Sequence, residues 1–194
     1  MDTVLVSSEY LPAFRNISLV SNKVLRVFAS SDLNFDTIEI TESELSRLAG
    51  ISKATFNRSY IMIKRELTGL IPGCKILDIN KYGRTKDLRI IVKKLPDFKK
   101  ISCRNSDIYY SRENIVSLGG KNSLLFYEYL KKNLLASHSV ITFSPEDIFE
   151  DRYKEPKSQS ILLGRLLKEI NEKTDLLVTS AKENREIKLY IKEK

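Results

Sequence analysis

Five side chains between residues 53 and 64, namely Lys53, Thr55, Asn57, Arg58 and Lys64, share one side of a helical projection. The other side is apolar. Phe56, Tyr60, Ile63 and Leu67 recur at i, i+4, i+7 and i+11, a stripe of the 3.6-residue period. A helix of this kind rests on its stripe and turns donors and acceptors outward. Such groups suit phosphate oxygens and base edges in a major groove, where an arginine can fork onto a guanine and an asparagine can pair an adenine. Plain solvation is the ordinary alternative for a charged helix face. The preceding residues favour the groove-reading alternative, because Thr41-Glu42-Ser43-Glu44-Leu45-Ser46-Arg47-Leu48-Ala49-Gly50-Ile51-Ser52 reads as the first helix and turn of a helix-turn-helix. A small residue and a glycine let two helices cross closely there, with Ile51 plugging the angle.

Charge is concentrated around that helix. The chain carries a net +8, and residues 53–100 alone hold thirteen Lys or Arg against four acids, a local +9. A basic stripe of this kind points to an anionic partner. Three further sets could reach one. The turn Lys81-Tyr82-Gly83-Arg84-Thr85-Lys86 offers cations to phosphates or a minor groove, or forms a merely soluble hairpin tip. Lys157, Ser158, Gln159, Ser160, Arg165 and Lys168 lie outward on a second long helix whose buried stripe is Leu163, Leu166, Leu167 and Ile170. Lys182 and Arg185 flank a second turn, Lys182-Glu183-Asn184-Arg185.

Catalytic chemistry finds little to work with. His138 is the single histidine and reads as a surface loop residue, so histidine metal sites and Ser-His-Asp triads are not expected. Gly119-Gly120-Lys121 lacks the upstream glycine of a phosphate-cradling loop. Tyr109 and Tyr110 read as packing residues rather than nucleophiles. Cys74 and Cys103 match no zinc spacing and suit packing in a reducing cytoplasm. The first residues lack a secretion signal, and no stretch approaches the roughly 20 apolar residues of a membrane span. The expectation is a cytoplasmic protein that is not an enzyme, with no cofactor, no metal and no membrane partner.

The elements that must position these side chains occur twice. In the first half a helix over 21–30 carries Val24, Leu25 and Phe28, and Thr37-Ile38-Glu39-Ile40 is a short strand. Thr41 with Glu44 forms a capping box, and Ser52 caps the long helix that runs to about Leu67. In the second half a helix over 121–135 precedes the strand Val140-Ile141-Thr142-Phe143. Ser144 and Pro145 open a short helix carrying Ile148 and Phe149, and a longer helix runs from about Ser158 to Glu172. The caps Thr41 and Ser144 stand 103 residues apart. Each long helix leads into two strands around a basic turn: residues 75–79 and 88–92 first, then 176–179 and 187–191. Repetition in one register argues for a repeated unit. The predicted fold is α+β: two tandem winged-helix domains, residues 1–100 with an N-terminal arm and residues 101–194.

Ser123-Leu124-Leu125-Phe126-Tyr127-Glu128-Tyr129-Leu130 and Leu166-Leu167-Lys168-Glu169-Ile170-Asn171-Glu172-Lys173-Thr174-Asp175 carry a family resemblance. This half resembles the plasmid replication initiators that bind iterons, whose second winged helix has a "LYEYL"-like helix and a "K-E-I-N-x-x-T-D" helix end. The first-half helix-turn-helix looks like the family's first domain, so the resemblance covers about residues 15–192. It implies a sequence-specific double-stranded DNA-binding initiator that recognises repeated origin sequences and opens adjacent DNA with host replication proteins. It also implies repression of its own promoter as a homodimer. Two departures stand out: the chain is shorter than most members, with no C-terminal partner-binding tail expected, and its second reading helix is only mildly basic. Asn171, Thr174 and Asp175 also have a local reading, as residues that bond nearby backbone where the long helix turns into the wing. A winged-helix transcriptional regulator is the alternative function, and a module meeting an acidic protein partner is a third.

Overall fold

Strands and helices of the first half assemble much as their capping signals dictate. The computed structural model describes residues 3–30, 36–70, 74–81, 88–94, 107–144, 156–183 and 186–194. It divides into two units, Met1–Val116 and Ser117–Lys194. The architecture is α+β, with seven α-helices among the described residues and small antiparallel sheets. Among those residues no helix is long and apolar enough to cross a membrane.

The first unit opens with β1 (Thr3–Val6), a 3-10 turn (Ser8–Tyr10) and α1 (Leu11–Phe14). Then comes α2 (Leu19–Phe28), capped by Ser18, whose hydroxyl accepts the Ser21 amide. It buries Val24, Leu25, Val27 and Phe28 completely or nearly so. Four polar residues, Ser21, Asn22, Lys23 and Arg26, are buried with them, and Asn22 and Arg26 show how such groups are satisfied. Arg26 lies 4.1 Å over the Phe14 ring and donates to Asn22 Oδ1 at 2.7 Å. Asn22 Nδ2 donates in turn to the carbonyls of Phe14 and Ile17.

After β2 (Thr37–Thr41), the Thr41 hydroxyl accepts the Glu44 amide at 3.2 Å and opens α3 (Glu42–Leu48). That helix closes on the hydrogen-bond pattern of a Schellman turn: Gly50 N donates to Arg47 O, and Ile51 N to Ser46 O. Gly50 has φ +62°, and a Cβ there would stand 2.7 Å from Val116 Cγ1. Both facts call for glycine. Ser52 then caps α4 (Lys53–Leu70) by accepting the Thr55 amide at 3.1 Å. Phe56, Ile63 and Leu67 of α4 are buried as the stripe predicts, and Tyr60 is half-buried. The sheet runs β2, β4 (Leu88–Lys94), β3 (Cys74–Lys81), with Ile38 opposite Val92 and Ile40 opposite Ile90. All four side chains point into the core.

One ribbon was not anticipated. β1 pairs antiparallel with β5 (Ile108–Ser111), placing Val4 opposite Tyr110 and Val6 opposite Ile108, all buried. Together with α5 (Glu113–Ser117) it brings residues 107–116 into the first unit. The expected boundary at residues 100 and 101 falls outside the described residues, and the described junction is at Val116 and Ser117. The pair Tyr109 and Tyr110 divides by strand alternation: Tyr110 packs, whereas Tyr109 is 53% exposed.

The second unit contains α6 (Lys121–Leu135), β6 (Val140–Phe143), α7 (Pro156–Lys173), β7 (Leu176–Glu183) and β8 (Glu186–Glu193). Its sheet order, β6-β8-β7, repeats that of the first unit. The short helix expected around Ile148 and Phe149 lies outside the described residues, as do Cys103 and the Cys74 side chain. His138 is exposed, in the turn that ends α6.

The repeat extends to a detail absent from the capping signals. Glu66 and Glu169 are each the fourteenth residue of an 18-residue helix, α4 and α7. Each reaches back to the start of its own unit's first long helix. Glu66 accepts the Ser18 amide at 2.9 Å and bonds the Ser21 side chain. Glu169 accepts the Gly119 amide at 2.7 Å and the Ser123 hydroxyl at 2.5 Å. Burial by itself would raise both carboxyls, but these hydrogen bonds outweigh it and hold both below the ordinary glutamate value, helped by Arg65 and Lys173 respectively. Each carboxylate thus satisfies free amides at a helix N-terminus from a neighbouring helix, where the positive end of the dipole also favours it.

Candidate nucleic-acid interface

The α4 face is built by three local devices. Ser52 fixes where the helix starts, the buried stripe fixes its rotation, and the Gly50 turn fixes its approach to α3. Lys53, Asn57 and Arg58 are exposed on the resulting outer face. Lys53 Nζ donates to Ser43 Oγ at 3.0 Å, and Arg58 Nε donates to the Ala54 carbonyl at 3.3 Å. A guanidinium has five N–H donors, of which the Ala54 bond uses one of Arg58's. Thr55 and Lys64 fit less well. The Thr55 hydroxyl is engaged with Ser52 Oγ at 2.8 Å, and Lys64 is half-buried.

Two exposed residues of this face escaped the sequence reading. Arg65 is exposed, and it follows Arg58 by seven residues, the i, i+7 spacing of one helix face. Ile61 is 83% exposed between them. The i, i+7 spacing from Arg58 marks Arg65 in the sequence, one position beyond the expected Lys64. Glu66 is the only acid in α4, and it is committed to the start of α2. The outer face of α4 therefore carries cations and the Asn57 amide, and the one carboxylate of the helix, Glu66, is turned to Ser18 with Arg65 near it.

On α7, Lys157, Ser158, Ser160, Arg165 and Lys168 are exposed and Gln159 is half-buried. Leu163, Leu166 and Ile170 form the buried stripe, and Leu167 is half-buried. This face is partly compensated: Lys168 lies 3.9 Å from Glu172, and Arg165 lines the same shallow hollow as Lys121, Ser123 and Glu169. Lys182 is exposed near the end of β7, but its surroundings include acids. Glu183 accepts from the Tyr190 hydroxyl at 2.7 Å and raises that phenol's pKa, and Glu186 pairs with Lys188 at 3.1 Å. Arg84, Lys86, Arg185 and the Lys81 side chain lie outside the described residues.

The residues carrying the family resemblance take structural positions. Asn171 exchanges two hydrogen bonds with the Val178 backbone, at 2.7 and 2.8 Å, fastening the end of α7 to β7. Thr174 Oγ1 donates to the Ile170 carbonyl and accepts the Leu176 amide. Asp175 accepts from the Tyr127 hydroxyl at 2.8 Å and pairs with Lys131 at 2.9 Å. Burial pulls the Lys131 ammonium down, yet its bonds to Glu193 and Asp175 more than offset this and leave it above the usual lysine value. Ser123 with Glu169 and Tyr127 with Asp175 thus join the two segments to each other. No protein-family model matches the chain, and no curated protein matches it.

Proposed function

We propose that this chain is a sequence-specific double-stranded DNA-binding protein built of two tandem winged-helix units, and that it initiates replication at directly repeated origin sequences. One observation carries the reading. An order of helix, strand, long helix and hairpin recurs with the same sheet order and the same capping glutamate. In the first unit the outward face of the long helix is cationic, and the one acid of that helix is turned to Ser18. In a winged helix that element enters the major groove while the hairpin lies against the backbone. α4 is then the principal reading helix and α7 a weaker one. The basic turns expected from the sequence, with Lys81, Arg84 and Lys86 in the first and Lys182 and Arg185 in the second, would serve phosphate contacts. The initiator role rests on the resemblance across Ser123–Leu130 and Leu166–Asp175, which also suggests homodimers and host replication proteins as partners; the cytoplasmic setting is proposed from the cysteine usage.

Footprinting of the full chain on origin-like fragments tests this. Protection of direct repeats spaced by about two helical turns, roughly 20 base pairs, is the expected result. Protection of a single promoter palindrome would instead make the protein a transcriptional regulator of the same fold. Absence of any sequence-selective protection would remove the DNA reading altogether.

A further inference from the structure

We infer that Ile61 reads the 5-methyl group of a thymine in the major groove, an inference that rests on the DNA-binding reading of α4. Ile61 is 83% exposed at the middle of the cationic face, while the buried residues Phe56, Ile63 and Leu67 lie on the far side of the helix. Its side chain lies outside the buried stripe of α4. An exposed mid-helix position favours Ala, Lys or Glu over a β-branched residue. Single exposed apolar residues are common on protein surfaces, so exposure alone decides nothing. Its neighbours decide more. Asn57 precedes it and Arg65 follows it by one helical turn each, about 6 Å along the axis on either side. That places an apolar side chain between a base-pairing amide and a forked cation, at a spacing of roughly two base steps of 3.4 Å each. The thymine methyl is the one apolar group among the base edges of the major groove. The pattern recurs on the other long helix, where Ile161 is 50% exposed between Lys157 and Arg165.

The test begins by selecting a duplex from a random pool with the full chain, then replacing each thymine in turn by uracil, which removes only the methyl. At one thymine the wild type should lose about fourfold in affinity, the value of one buried methyl-sized group. Ile61→Ala should bind the selected duplex weaker by at least a similar factor and should no longer distinguish thymine from uracil at that position. Ile61→Val should keep the distinction. Because Ile61 is exposed, a melting temperature no lower than that of the wild type confirms that Ile61→Ala is folded. A flat uracil scan, or a uracil penalty that survives in Ile61→Ala, overturns the Ile61 assignment while leaving DNA binding intact. If the pool yields no enriched duplex, the DNA reading of α4 fails, and this assignment fails with it.

Discussion

Replacing Glu169 by Gln should loosen the second unit at the start of α6. Glu169 accepts the Gly119 amide at 2.7 Å and the Ser123 hydroxyl at 2.5 Å, and Lys173 lies 3.1 Å away. Glutamine can keep one acceptor, but its NH2 then confronts the second donor. A hydrogen bond to a charged group contributes roughly 1.5–3 kcal/mol, and a lost helix cap costs about 1 kcal/mol. One bond kept and one lost therefore suggests a cost of about 2 kcal/mol. In a unit of this size that corresponds to a fall in melting temperature of roughly 8–16 °C. The pH dependence has a definite sign. Because Glu169 is held below the ordinary carboxylate value in the folded state, its contribution is complete above the unfolded value of about 4.3 and fades as pH falls through the lower folded value. The gap between wild type and variant should be full at neutral pH and close in acid. Thermal melts followed by circular dichroism from neutral to acidic pH measure both effects. A variant that melts with the wild type at neutral pH, or a gap that widens in acid, would refute the clamp.

Three further outcomes are expected, two from the structure and one from the proposed function. Gly50→Ala should destabilise the first unit by at least about 2 kcal/mol, since φ +62° disfavours a side chain and the new Cβ would meet Val116 Cα at 2.9 Å; chemical denaturation reads this directly. Ser137 is a non-glycine residue at φ 65° in the turn that closes α6, so Ser137→Gly should raise stability by about 0.5–1 kcal/mol in the same assay. Arg58→Ala should relax base preference at a cost of roughly 1–3 kcal/mol, whereas Lys81→Ala or Lys86→Ala should weaken all duplexes alike and lower the salt slope by about 1. Binding titrations across salt separate the last two behaviours.

Local chemistry made much of this fold legible. Thr41, Ser52 and the Ala49-Gly50 turn place α3 and α4 because caps and turns are decided by residues a few positions apart. The helix over 121–135 and the strand over 140–143 have the extents that their periodicity suggests. What stayed hidden depends on distance along the chain. β1 pairs with β5 across about a hundred residues, and four-residue strands carry no local sign of a partner so remote. Glu66 and Glu169 resemble any surface glutamate until folding brings a helix N-terminus beside them. The candidate face of α4 was half legible. Periodicity found Asn57 and Arg58, but it chose Lys64 where Arg65 is the more exposed cation, and it passed over Ile61 because apolar residues are read as core.

The most direct test of the central claim is an affinity ratio. The full chain is titrated, at about 0.15 M salt, against its selected duplex and against a scrambled duplex of equal length and composition. Sequence-specific recognition predicts a preference of roughly a thousandfold or more for the selected duplex. Equal affinity for the two would contradict it, reducing the basic face of α4 to non-specific electrostatic attraction.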